Sequence, residues 1–380
     1  MTLRVHDTLS GERVTFPDGP VRLYVCGVTP YDTTHLGHAF TFVQFDVLVR
    51  ALRWLGRDVV YVQNVTDIDD SILARARELG LDWRRLGNEE TRRYLEDMHA
   101  LNVADPDELV LATSCMPTIL EMIDALLARE AAYRIGDGSV FFRIAARPTY
   151  GELSRLSRDE MLVVAGQQDD SDVDDARKED PLDFALWRGW SGRDDEPWWD
   201  TPWGRGRPGW HIECSAVILR HHGPQITVHG GGVDLVYPHH ESEIAQSEAA
   251  TGVRPLARLW MHAAMTRMDG EKMSKSLGNM VFVRDLLTRY DADAIRLYLL
   301  SHHVRGPFEW SEAGLVRAAE TLDALRRAAH RPDEVGDAQK AFRAALEDDL
   351  DTPAALRALG CAAGHPLRDL AGILGLRLGT

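Results

Sequence analysis

A strand, a helix and a second strand within the first 62 residues constrain this chain more than any other feature. Val21, Leu23 and Val25 recur with the period of two expected of a strand. A turn cluster with Pro30 and Asp32 follows, then a long amphipathic run from Thr34 towards Leu55, with a helix expected from about Thr41 and Gly56 suited to end it. Val59-Val60-Tyr61-Val62 reads as a buried strand. Strands joined through a helix run parallel, and the pattern predicts an α/β fold with a Rossmann-type sheet. In such a sheet ligands gather at the carboxyl ends of the strands.

His35-Leu36-Gly37-His38 stands where the first strand gives way to the helix. The unpaired N–H groups and positive end of a helix favour phosphate. Gly37 lets a flat ring come close, and two imidazoles can donate to phosphate oxygens as charge develops. Two histidines at a helix start are also ordinary, so this motif decides little by itself. Lys272-Met273-Ser274-Lys275-Ser276 follows the loop-like Met268-Asp269-Gly270-Glu271 and suits a clamp on triphosphate. A lone lysine-rich pentapeptide is more often a solvated face.

Both motifs in this order resemble the signature pair of class I aminoacyl-tRNA synthetases. Further segments narrow the resemblance to cysteinyl-tRNA synthetases and their relative, the mycothiol-pathway cysteine ligase. They are Cys26-Gly27, QNVTDIDD (Gln63–Asp70), PLDFALW (Pro181–Trp187), GRPGWHIECSA (Gly206–Ala216), HGGGVDLVYPHHESE (His229–Glu243) and KMSKSLGN (Lys272–Asn279). The resemblance implies a class I synthetase fold with a Rossmann-type parallel sheet, a zinc site and a short C-terminal helical domain. It also implies an ATP-dependent, AMP-forming ligase that activates L-cysteine as cysteinyl adenylate, with Mg2+ accompanying ATP. His35, His38, Lys272 and Lys275 would stabilise the charge on the phosphates.

The ligand set follows from the same resemblance. Cys26, Cys214, His239 and Glu243 would hold one Zn2+ per chain, and the substrate thiolate would join the ion. Their spacing is no zinc-finger pattern, although His239 and Glu243 at i, i+4 share one helical face. Read without the resemblance, His239 or His240 caps a helix after Pro238. A soft metal separates a thiol from serine's hydroxyl, which an apolar pocket could do by only about 1–3 kcal/mol. By similarity Thr29, Thr66 and Trp210 contact the cysteine. Gly230, Gly231 and Gly232, after an expected strand Gln225–Val228, are read as bare backbone for base and ribose, with Asp234 accepting from ribose hydroxyls. Gly37, His38 and Lys275 complete the expected nucleotide site.

Composition sets the remaining bounds. At 380 residues the chain has room for several domains with a sizeable core. The expected boundaries are a first catalytic half with a helical hairpin (1–130), a connecting insertion (131–205), a second catalytic half with the zinc ligands and lysine loop (206–310) and a truncated helical domain (311–380). Residues 72–130 read as helices, and 167–180 as a solvated acidic loop. Asp67, Asp69 and Asp70 suit helix caps, and Cys115 and Cys361 suit buried small hydrophobes. The net charge of −16 argues against a surface that binds nucleic acid throughout, but leaves room for a local basic groove. Four cysteines do not suggest a disulfide framework. The first residues, MTLRVHDTLSGERV, lack a signal peptide's apolar stretch, and no apolar run has membrane-spanning length. A cytoplasmic protein is expected.

The acceptor is the divided point. PLDFALW, WHIECSA, HHESE and KMSKSLGN have synthetase form and tip the reading to tRNA(Cys). TPYDTTHLGHA, with no Arg after His38, reads like the mycothiol ligase, whose acceptor is the amine of glucosaminyl-inositol. So does the sequence ending about a hundred residues past the lysines, where a synthetase would be expected to continue into an anticodon-reading domain. A third reading, a non-catalytic paralogue acting as a binding module, is disfavoured because such a copy has no physical need for intact histidines, lysines and metal ligands.

Overall fold

The computed structural model describes residues 3–31, 34–168, 173–273 and 278–379. Its centre is a five-stranded parallel sheet in the spatial order Trp260–Ala263, Val228–Gly232, Val21–Val28, Val59–Val65, Glu108–Leu111. After an antiparallel pair of short strands, Arg4–His6 and Arg13–Thr15, the chain enters this sheet on the middle strand, moves outward on one side through Val59–Val65 and Glu108–Leu111, and later returns to build the other side. The middle strand and Val228–Gly232 therefore flank the topological switch point, where an open parallel sheet leaves a crevice at its carboxyl edge.

Alternation along the middle strand divides two cores. Leu23 and Val25 face the long helix Leu36–Trp54 and the C-terminal helices. Tyr24 and Cys26 face the opposite layer, helices Met116–Ala128, Trp210–His222 and Glu241–Thr251. The period of two thus turns Cys26 towards the helix that carries Cys214.

Several local expectations change. Residues 72–130 are not all helix, because Glu108–Leu111 pairs parallel with Val59–Val65 as an edge strand. The four-residue stretch is too short for its own periodicity to declare it, and the neighbouring strand decides its state. The first-motif helix begins at Leu36 rather than near Thr41, and Gly56, at φ 78°, follows its end. The expected strand Gln225–Val228 lies further on, at Val228–Gly232, with its glycines inside the sheet. Cys115 is buried but Cys361 is exposed, at a turn after helix Thr352–Leu359. Of the acidic run, residues 169–172 lie outside the described residues.

Between the halves of the parallel sheet lies an antiparallel sheet of Ala132–Arg134, Val140–Phe142, Phe184–Gly189, Gly204–Pro208 and Trp199–Thr201. Its strand Gly204–Pro208 leads directly into helix Trp210–His222. Past the last strand, Phe308–Glu309, come four helices, Glu312–Ala329, Ala338–Glu347, Thr352–Leu359 and Gly364–Ile373. They pack on the first-motif helix and on helix Ala292–Leu300. Among the described residues, no helix is long and apolar enough to cross a membrane.

Candidate active site and metal centre

A cleft of about 360 Å³ opens at the switch point. Its walls bring together Cys26, Thr29, His35, Gly37, His38, Thr66, Trp210, Cys214, Gly232, Asp234 and His239. These residues are scattered over more than 200 positions of sequence, yet one crevice collects them.

His35 caps its own helix. Its Nδ1 accepts from the backbone N–H of Gly37 at 3.1 Å and of His38 at 3.4 Å. Two of the amides expected to meet phosphate are therefore already engaged. With Nδ1 as acceptor, the neutral ring carries its proton on Nε2, where it can donate to a ligand. The His38 ring stacks on His35 with centroids 3.7 Å apart. What the helix start presents is an oriented pair of imidazoles rather than a bare amide nest.

Behind the cleft four ligating groups converge. Cys26 Sγ lies 3.8 Å from Cys214 Sγ and 3.4 Å from Glu243 Oε1. His239 Nε2 is 3.3 Å from Cys214 Sγ and 3.2 Å from Glu243 Oε1. A tetrahedral ion with Zn–S bonds of about 2.3 Å requires its sulfurs about 3.8 Å apart, with slightly shorter edges to nitrogen and oxygen. The donor set and spacing fit a tetrahedral soft metal. All four side chains are buried. Burial drives three of them towards their neutral forms, pushing the Cys26 thiol and Glu243 carboxyl well up and the His239 imidazole well down. A divalent cation is the charge that would let thiolates and a carboxylate share so dry a place.

His239 and His240 do not cap a helix through their side chains. His240 belongs instead to a second possible set, Cys26, His229, His240 and Glu243, which shares two members with the first. His240 Nε2 lies 3.3 Å from Cys26 Sγ, and His229 Nε2 lies 3.1 Å from Glu243 Oε2. His240 Nδ1 in turn contacts His262 Nε2 at 2.8 Å, and His262 Nδ1 contacts the Thr8 hydroxyl at 2.7 Å. The sequence reading left His229 and His262 out of the site and His240 as a cap. The signal was present in His229 and His240, which bracket the glycines, but only the strand places His229 beneath Glu243.

Two of the three glycines are packed against side chains. Gly230 and Gly231 do not line the cleft. A methyl group on Gly230 would overlap the Phe45 ring, and one on Gly231 would come within 2.9 Å of His240 Cε1. Only Gly232 and Asp234 reach the cleft from this segment. Trp210 stacks on His239 with centroids 4.3 Å apart and forms a wall beside the thiols. Thr66 is held by Asn64, whose Nδ2 donates to Thr66 Oγ1 at 3.0 Å while its Oδ1 accepts from Gly27 N at 2.8 Å. Asn64 thereby ties the two strand ends of the pocket together, a role the sequence did not signal. Of the three aspartates, Asp69 caps helix Asp70–Leu79, whereas Asp67 accepts from the Thr113 N–H at 2.9 Å. Lys275 lies outside the described residues, as does the side chain of Lys272, whose backbone pairs with Arg267.

Comparison with known proteins places the chain in a family. Residues 13–320 match the family described as tRNA synthetases class I (C), catalytic domain. An L-cysteine:1D-myo-inositol 2-amino-2-deoxy-alpha-D-glucopyranoside ligase of Thermobispora bispora is 46% identical over 359 residues, covering 94% of this chain and 88% of the relative. A cysteine–tRNA ligase of Dehalococcoides mccartyi is 40% identical over 404 residues, covering 99% of this chain and 86% of the relative. Among solved structures, methionyl-tRNA synthetase of Mycobacterium tuberculosis bound to methionyl-adenylate superposes with a TM-score of 0.65. It is 17% identical, with 90% of this chain and 82% of that one covered, a likeness of fold.

Proposed function

The chain belongs to the class I (C) tRNA synthetase family and is an ATP-dependent cysteine ligase, and from that premise we propose that it joins cysteine to the amine of a glucosaminyl-inositol. The observation that carries the acceptor is the order of similarity. Ligases named for the amino sugar stand at 45–46% identity, and those named for tRNA at 40–42%. This weighs against the motif reading, which favoured tRNA(Cys).

In the first step the cysteine carboxylate attacks the α-phosphorus of ATP, and pyrophosphate leaves with the electron pair of the broken P–O bond. The chain's groups orient and stabilise rather than react. Thr29, Thr66 and Trp210 enclose the amino acid, whose carboxylate then points to the imidazole pair. His35, with its proton fixed on Nε2, and His38 donate to the phosphate oxygens, joined by Lys272 and Lys275. Gly232 and Asp234 take the ribose, and Mg2+ accompanies the triphosphate. Cys26, Cys214, His239 and Glu243 would hold Zn2+, which prefers sulfur to oxygen and lowers the pKa of a thiol. In the second step the acceptor's amine attacks the cysteinyl carbonyl, AMP leaves, and an amide is formed.

The tRNA reading keeps specific support in the 40–42% identical cysteine–tRNA ligases, and there the nucleophile would be a ribose hydroxyl. One experiment separates the two. Isolated cysteinyl adenylate on the protein is offered the amino sugar and tRNA(Cys) together. Discharge to the amine is expected; discharge to tRNA alone overturns the acceptor assigned here.

A further inference from the structure

Residues after the lysine motif are hydrogen-bonded to the first histidine motif. His35 and Phe282 form an antiparallel β-bridge. It is flanked by Leu36 N–H donating to Val281 O at 2.8 Å and Val283 N–H donating to Thr34 O at 3.1 Å. The backbone on both sides of His35 is thus set by residues 281–283. That segment is fixed from below: Val283 and Leu286 are buried, and Arg284 Nη2 donates to Asp97 Oδ1 at 3.2 Å and to Arg93 O at 3.4 Å. Asp97 belongs to helix Trp83–Ala100 and is only 3% exposed. The Thr34 hydroxyl faces the same carboxyl, which burial holds above the usual carboxylate range against the pull of Arg284.

We propose that Arg284 and Asp97 are a positioning pair that fixes His35 and His38 at the nucleotide end of the cleft, through Val283 and Thr34. Neither residue lines the cleft. The pair is placed where helix Trp83–Ala100, the segment after the lysines and the residues before His35 are joined by the bonds just described. The Arg284 side chain is 36% open to solvent while that of Asp97 is only 4% open, so the guanidinium reaches in from the surface to hold a buried carboxyl in place. The groups assigned to the metal and to cysteine line the same cleft, but neither Arg284 nor Asp97 has a hydrogen bond to them among the bonds described.

The inference rests on ATP-dependent cysteine activation, and the test keeps the two apart. Cysteine-dependent ATP–pyrophosphate exchange is measured on the full chain with zinc content determined, for wild type, Arg284→Met, Arg284→Lys, Asp97→Asn and the Arg284→Met/Asp97→Asn double variant. Absence of exchange in zinc-loaded wild type would sink the activity itself. With wild type active, Arg284→Met is expected to lower kcat/KM for ATP by about 10–100-fold, the scale of a displaced catalytic group. The KM for cysteine and the zinc content stay unchanged, Arg284→Lys recovers part of the loss, and the double variant loses no more than the worse single. Wild-type kinetics for ATP in Arg284→Met, or parallel losses in ATP, cysteine and zinc binding, would overturn the pair's positioning role. Should Arg284→Met not fold, Asp97→Asn with the lysine variant carries the same comparison.

Discussion

Cys26 Sγ and Cys214 Sγ lie 3.8 Å apart although 188 residues separate them, one thiol at the end of the central strand and the other in the first turns of a buried helix. The separation equals the sulfur–sulfur edge of a tetrahedral zinc site. Cys214→Ser is expected to reduce bound zinc by more than about tenfold, because a neutral hydroxyl is a poor ligand beside one remaining thiolate. The KM for cysteine should rise with it. Metal analysis of the purified variant checks the first outcome and exchange kinetics the second; full zinc occupancy would remove Cys214 from the ligand set.

Gly230→Ala separates packing from nucleotide binding. The added methyl meets the Phe45 ring in the first-motif helix, so a stability loss of about 1–3 kcal/mol is expected. Denaturant unfolding measures it. A raised KM for ATP with unchanged unfolding would restore the nucleotide role expected from sequence.

Arg296 is fully buried and binds Leu374 O at 2.6 Å, Leu101 O at 2.9 Å and the carboxylate of Asp46. It links the first-motif helix to the end of the C-terminal helices. Removing one member of a buried pair costs about 3–5 kcal/mol when the partner is stranded. Arg50 Nε still holds Asp46 at 2.8 Å, so Arg296→Met should cost less, about 2–3 kcal/mol. Chemical denaturation that showed no change would mean the buried guanidinium is replaceable by packing alone.

His222 gives a pH dependence. Its Nε2–H donates to Leu23 O at 3.1 Å, and burial lowers its pKa from the ordinary 6.5 despite that bond. Glu108 favours the charged form, while Arg22 and His221 disfavour it. Between the lowered folded value and 6.5 the unfolded chain binds more protons, so this contribution is intact above 6.5 and is lost as pH falls below it. His222→Gln keeps an N–H donor and cannot titrate. Its melting temperature should fall less steeply with acid than that of wild type, and identical slopes would exclude the group.

Much of the site could be read from residues because the chemistry narrows the types. His239 and Glu243 share one helical face, but the two cysteines stand far from them in sequence, and it was the pair of phosphate-type motifs, through the family they resemble, that pointed to the set. Asn64 and Arg284 could not be read that way. Each is an ordinary polar residue whose contribution is a hydrogen bond across the fold, and no spacing encodes it. The glycine run is ambiguous for the same reason: a missing side chain leaves room for a ligand or for a neighbouring ring, and sequence does not say which.

The order of strand, helix and strand and the two phosphate-type motifs were determined by the sequence alone, whereas the four candidate metal ligands came from resemblance to a family and not from their spacing. The order and the motifs are local patterns, set by periodicity and by the chemistry of single residues. The tertiary structure decided where they meet. The strand order placed the switch point between Val21–Val28 and Val228–Gly232, and the pleat turned Cys26 towards Cys214. The cap bonds fixed the face that His35 presents. Those outcomes depend on contacts between residues far apart in sequence, whose energies exist only once the chain has folded.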